Sequence, residues 1–217
     1  MPDAVLIISS KNYSSWSLRG WLLCKFAGLV FEERQLPSDD QIARMELLLL
    51  SPSVRVPCLT FDGVSVWDTI AIAEFLNDLR PDAGLLPSDR AASALCRSIC
   101  GEMHSGFVNL RNALPMNLRA HHAGFNVYPG ARADIARITE IWRECLSKYG
   151  GPYLFGPRSM ADAMYAPVAT RFATYDVSLD PACAAYAAHL LAMPEMLEWT
   201  DAAKAEPDEV EELDAEF

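Results

Sequence analysis

The chain has 217 residues, 51% of them hydrophobic, enough to bury a substantial core as one large domain or two modest ones. Its formal net charge of −11 argues against nucleic acid or an anionic membrane as a partner, because affinity for either comes largely from Lys and Arg neutralising phosphates. The opening residues MPDAV place an acid where a secretory leader carries basic groups, and no apolar run approaches the roughly 18–20 residues of a membrane span, so a cytoplasmic protein is expected. Six cysteines (Cys24, Cys58, Cys96, Cys100, Cys145 and Cys183) are scattered without a CxxC pair and are expected to be reduced thiols.

In chain order, Ala4–Ser9 is a short apolar run read as a buried strand. After a polar stretch, residues 18–27 show helical apolar spacing (Leu18, Trp21, Leu22, Phe26), and Gly28 stands where a terminating glycine belongs. Residues 30–35 resume an extended pattern. Residues 41–50 are helix-prone between the breakers Pro37-Ser38 and Ser51-Pro52. Two strands, 57–61 and 64–67, flank Asp62-Gly63, the dipeptide most strongly tied to a two-residue hairpin, and a helix over 69–79 follows. The order is βαβ, then ββα. Residues 81–89, rich in Pro, Gly and Asp, read as a linker closing a first domain of residues 1–80. Beyond it the spacing predicts helices over 90–114, 131–149, 160–174 and 181–192, so residues 90–217 form an all-helical domain with an acidic tail from Glu206.

Three motifs occur in this order. Ser14-Ser15-Trp16-Ser17-Leu18-Arg19 resembles the SSCSxR signature of zeta-class and related serine-type glutathione transferases. Val56-Pro57 heads a strand, where a proline costs no ladder hydrogen bond. Trp67-Asp68-Thr69-Ile70-Ala71-Ile72 resembles that superfamily's E-S-x-A-I element. The resemblance implies a thioredoxin-like α/β domain followed by an all-helical one, with glutathione as co-substrate, no metal and a homodimer. It implies that Ser14 and its neighbour Ser15 serve the glutathione thiolate. Val56, before a cis Pro57, pairs by its backbone with the cysteinyl part, and Asp68 and Thr69 hold the γ-glutamyl ammonium and carboxylate. The physical sense is sound: a helix N-terminus and a donating hydroxyl both stabilise an anion. The plainer role for Ser14, Ser15, Asp68 or Thr69 is helix capping. Tyr13, adjacent, is the alternative hydroxyl. Trp16 replaces the cysteine of the zeta signature, a departure that bears on the isomerase activity of that class.

Ser159-Met160-Ala161-Asp162 is a capping box with a folding role. Cys96, Cys100 and His104 share one helix face, but three ligands along one helix span too much length for a tetrahedral ion, so they read as core. His121-His122 reads as solvated loop. By resemblance, Phe107, Arg111, Asn112 and Arg171 are candidates to line the second-substrate pocket. The leading expectation is therefore an enzyme that joins the glutathione thiolate to a small apolar electrophile. The alternatives are a non-catalytic binding protein of this fold and a glutathione-dependent isomerase of the maleylacetoacetate isomerase type. A thiol-disulfide oxidoreductase is disfavoured because no cysteine replaces the serines.

Overall fold

A computed structural model describes residues 4–36 and 55–206. The expected helix over 41–50 and the tail beyond Glu206 lie outside the described residues. The first half holds β1 (Ala4–Ile8), α1 (Ser15–Phe26), β2 (Glu32–Gln35), β3 (Cys58–Phe61), β4 (Val64–Trp67) and α2 (Thr69–Leu79). The sheet order is β2-β1-β3-β4; β1 runs parallel to β2 and antiparallel to β3, and β3 is antiparallel to β4. The centre of this sheet is a strand buried on both faces, which is why β1 reads AVLII with no polar alternation. The edge strand β2 is instead charged, EERQ, which discourages further pairing.

Local sequence explains the connections. Ser14 caps α1 by accepting from the Ser17 N–H at 3.2 Å, so the helix opens at Ser15, ahead of the residue-18 start that the apolar spacing gave. Gly28, at φ +64°, ends it, with the Leu29 N–H reaching back to the Cys24 carbonyl. Asp62 and Gly63 both have positive φ, the backbone that a tight hairpin between twisted strands requires.

After a short 3₁₀ turn (Pro81–Ala83) the chain is helical: α3 (Arg90–Ser105), α4 (Val108–Ala113), α5 (Pro129–Tyr149), α6 (Met160–Thr174), α7 (Pro181–Leu191) and α8 (Pro194–Lys204). The single helix expected over 90–114 is broken in two. Gly106 is extended and Phe107 left-handed (φ +56°), and a side chain at Gly106 would meet the Glu102 carbonyl at 2.7 Å. Helix α8 was not expected; Pro194 starts it, and Met196, Trp199 and Ala203 form its buried stripe.

The helix α6 is the axis of the second half, packed against α1, α3 and α7. Its capping box is held tightly. The fully buried Asp162 carboxylate accepts from the Ser159 N–H (2.8 Å), the Ser159 hydroxyl (3.2 Å), the Leu154 N–H (3.2 Å) and the Tyr186 hydroxyl (2.9 Å). Burial pushes this carboxyl up, while those donors hold it back. All six cysteines are buried. Burial pushes the Cys24 thiol far up, that of Cys145 up to about 11 and that of Cys183 up to about 12.

Candidate functional site

The end of α3 bridges the N-termini of α1 and α2, because its His104 meets Trp16 of α1 and Asp68 at the start of α2. Ser14 is half-buried at the start of α1, and its hydroxyl lies 2.9 Å from the Ser17 hydroxyl, to which it donates. Ser17 also accepts the Ser9 N–H at 3.0 Å, which ties the α1 cap to the end of β1. Ser14 is thus both the cap and the candidate donor. These roles are compatible, because a capping oxygen accepts while its proton can turn to a ligand.

Ser15 differs from its neighbour. It is fully buried, and its oxygen accepts from the guanidinium of Arg19 at 3.2 Å and from that of Arg171 at 3.3 Å. Each arginine is itself fixed by a carbonyl, Arg19 by Met164 (2.8 Å) and Arg171 by Leu114 (2.8 Å). Ser15 therefore joins α1 to α6. Tyr13 is buried, with 8% of its surface exposed.

The peptide bond between Val56 and Pro57 is cis. Pro57 is buried against Gly20 of α1, where an added Cβ would come within 2.6 Å of the proline ring. Glycine at 20 lets α1 lie directly on this turn.

At the start of α2, Asp68 has φ +76° and ψ 134°, a backbone that costs a non-glycine residue about 1–3 kcal/mol. One carboxylate oxygen caps the helix through the Ile70 N–H at 2.9 Å; the other lies 3.1 Å from His104 Nε2. Thr69 is 1% exposed, and its buried hydroxyl has no hydrogen-bond partner among the described residues. An orphaned hydroxyl at a helix N-terminus is fitted to receive a carboxylate.

Trp16 links the two helix ends. Its ring meets His104 edge-on at 5.2 Å, while the guanidinium carbons of Arg19 and Arg111 lie 4.5 and 5.7 Å from its centroid. Of the other pocket candidates, Arg111 is half-buried and also donates to the Gly106 carbonyl, Phe107 packs in the core, and Asn112 is exposed. Cys96 and Cys100 lie in the core, where burial raises the Cys100 thiol, but His104 on the same face turns instead to Asp68. Its role in the site was not legible, because only the fold brings residues 68 and 104 together.

Residues 13–79 match the family described as Glutathione S-transferase, N-terminal domain. The maleylacetoacetate isomerase of Rattus norvegicus is 31% identical over 179 residues, 82% of each chain. The chain belongs to the glutathione S-transferase superfamily. Within it the resemblance is to the zeta class. A probable maleylacetoacetate isomerase of Caenorhabditis elegans is 27% identical over 79% of each chain. A Burkholderia glutathione transferase homolog with bound glutathione has the same fold, with a TM-score of 0.71 and 22% identity, covering 95% of this chain and 100% of that one.

Proposed function

We propose that this protein is a glutathione transferase that joins the glutathione thiolate to a small electrophile. The observation that carries the reading is the buried hydroxyl of Thr69 at the α2 N-terminus, which has no hydrogen-bond partner among the described residues, beside an Asp68 held in a costly backbone conformation. On this reading the γ-glutamyl carboxylate takes the Thr69 hydroxyl and the ammonium takes Asp68. The Val56 backbone pairs with the cysteinyl part ahead of Pro57. The sulfur then sits at the α1 N-terminus, where Ser14 donates to it and Ser15, polarised by Arg19 and Arg171, lies behind. The thiol proton passes to solvent and the thiolate forms the new C–S bond; the displaced electron pair departs with the leaving group or, on addition to a double bond, rests on the adjacent carbon, which takes up a proton from solvent.

The names of the relatives support a second reading, cis–trans isomerisation. There the thiolate adds to a carbon–carbon double bond, the resulting single bond rotates, and elimination restores both the double bond and free glutathione. Trp16 in place of the signature's cysteine weighs towards net transfer. A homodimer in the cytoplasm fits either reading. Exposed Val64 and Trp67 on the edge strand beside Asp68 provide apolar surface for a second copy, and sedimentation at the monomer mass would exclude it.

The test is the thiol pKa of bound glutathione, read from thiolate absorbance. A hydrogen bond to a charged group contributes about 1.5–3 kcal/mol, and turning the Ser14 proton away from Ser17 gives back about 1. Ser14→Ala is therefore expected to raise the pKa by about one unit with glutathione affinity little changed, and Tyr13→Phe to do neither. The reverse pattern would replace the serine mechanism with a tyrosine one.

A further inference from the structure

We propose that Glu206 is a positioning residue for the Ser14 hydroxyl, holding the turn Ser10–Tyr13 that delivers it. The inference rests on the reading of Ser14 as the thiolate's donor. Glu206 lies just past α8, remote in sequence from that turn, yet its carboxylate is seated in it. Oε2 accepts from the Ser10 hydroxyl at 2.8 Å and the Asn12 N–H at 3.1 Å, and Oε1 accepts from the Lys11 N–H at 2.5 Å. With its proton committed to Glu206, the Ser10 oxygen turns its lone pairs to the N–H groups of Asn12 (3.1 Å) and Tyr13 (3.3 Å). The Ser10 carbonyl then accepts the Ser14 N–H at 3.0 Å. Each backbone N–H from Lys11 to Ser14 is thus held by Glu206 or by the serine that Glu206 orients.

The carboxylate is itself anchored. Arg119 donates to the carbonyls of Ala203 and Glu206, and Asn12, 1% exposed, binds the Leu118 and Arg119 N–H groups through its side-chain oxygen. Trp199 of α8 donates to the Lys11 carbonyl at 2.9 Å. This clamp grips the turn ahead of the α1 cap and leaves the cap free to meet a ligand. Thiolate stabilisation by a hydroxyl depends on placement to about half an ångström, so a device that fixes the turn sets the thiol's acidity without touching it.

The test compares the unaltered protein with Glu206→Ala, Glu206→Gln, Ser10→Ala and Ser14→Ala, reading the pKa of bound glutathione by thiolate absorbance and its affinity by calorimetry. Glu206→Ala is expected to raise the pKa by about one unit, a roughly tenfold loss of thiolate near neutrality. Glutathione affinity is expected to change less than about threefold. Glu206→Gln keeps one acceptor oxygen and is expected to move the pKa less. Ser10→Ala leaves the Glu206 bonds to Lys11 and Asn12 in place and is expected to reproduce the rise, so the inference stays testable if Glu206→Ala folds poorly. A Glu206 that serves stability alone lowers the melting temperature and leaves the pKa unmoved. That result, beside a raised pKa in Ser14→Ala, overturns the inference while the proposed function stands. A lowered pKa overturns it too, since it marks Glu206 as a remote negative charge opposing the thiolate. If Ser14→Ala leaves the pKa unmoved, the reading beneath both is wrong.

Discussion

Thr69→Val separates binding from stability by the sign of its effects. Valine nearly matches threonine in shape and replaces only the hydroxyl, which is buried without a partner among the described residues. A buried unsatisfied polar group costs about 1–3 kcal/mol, so its removal is expected to stabilise the free protein by about 1 kcal/mol or slightly more. On the proposed function, bound glutathione gives the same hydroxyl a carboxylate to meet, and a hydrogen bond to a charged group contributes about 1.5–3 kcal/mol. The variant is therefore expected to bind glutathione about 10- to 150-fold more weakly. Denaturant unfolding without ligand gives the first quantity and calorimetry with glutathione the second. A Thr69→Val protein that is destabilised and binds glutathione normally would refute the reasoning, because the hydroxyl would then serve the fold and not the ligand.

Two further outcomes follow from neighbouring chemistry. Asp68→Asn keeps an oxygen for the α2 cap but loses the charge, so glutathione affinity is expected to fall by about 1.5–3 kcal/mol with the unfolding midpoint little moved; Asp68→Ala should in addition lose about 1 kcal/mol of stability with the cap, and calorimetry beside denaturant unfolding checks both. Asp180, which caps α7, is lowered from 3.8 to about 2, chiefly by the Cys183 N–H, with Arg143 also contributing. Its folded pKa lies below its unfolded one, so its contribution is complete above the unfolded value and lost as pH falls through about 2. Acid unfolding of Asp180→Asn is expected to show a shallower dependence on pH over that window than the unaltered protein.

The first half was legible because its signals are local. The run AVLII reads as a strand buried on both faces, Asp62-Gly63 supplies both positive-φ positions of a hairpin, and Gly28 ends α1. The helical half was legible in type and less so in its breaks. Apolar spacing runs on through Ser105-Gly106-Phe107, and the break lies in the backbone, with Gly106 extended and Phe107 left-handed, which spacing does not reveal. The site divides in the same way. Ser14, Asp68 and Thr69 sit at helix starts, where sequence rules apply. His104 against Asp68, Arg171 against Ser15 and Glu206 against Ser10 are contacts made by tertiary packing between residues far apart in the chain.

The burial of the thiols has a chemical consequence for a protein that handles electrophiles. Any compound reactive enough to be attacked by glutathione is also able to alkylate a protein cysteine, and only the thiolate reacts appreciably. With all six sulfurs enclosed, and Cys24, Cys145 and Cys183 held well above the ordinary thiol range, the chain offers no competing nucleophile of that kind at neutral pH. The same enclosure denies oxidised glutathione a sulfur with which to form a mixed disulfide. On the proposed function, this concealment spares the chain from alkylation by its own substrate, and the reactive sulfur is the one that arrives with the co-substrate and departs with the product.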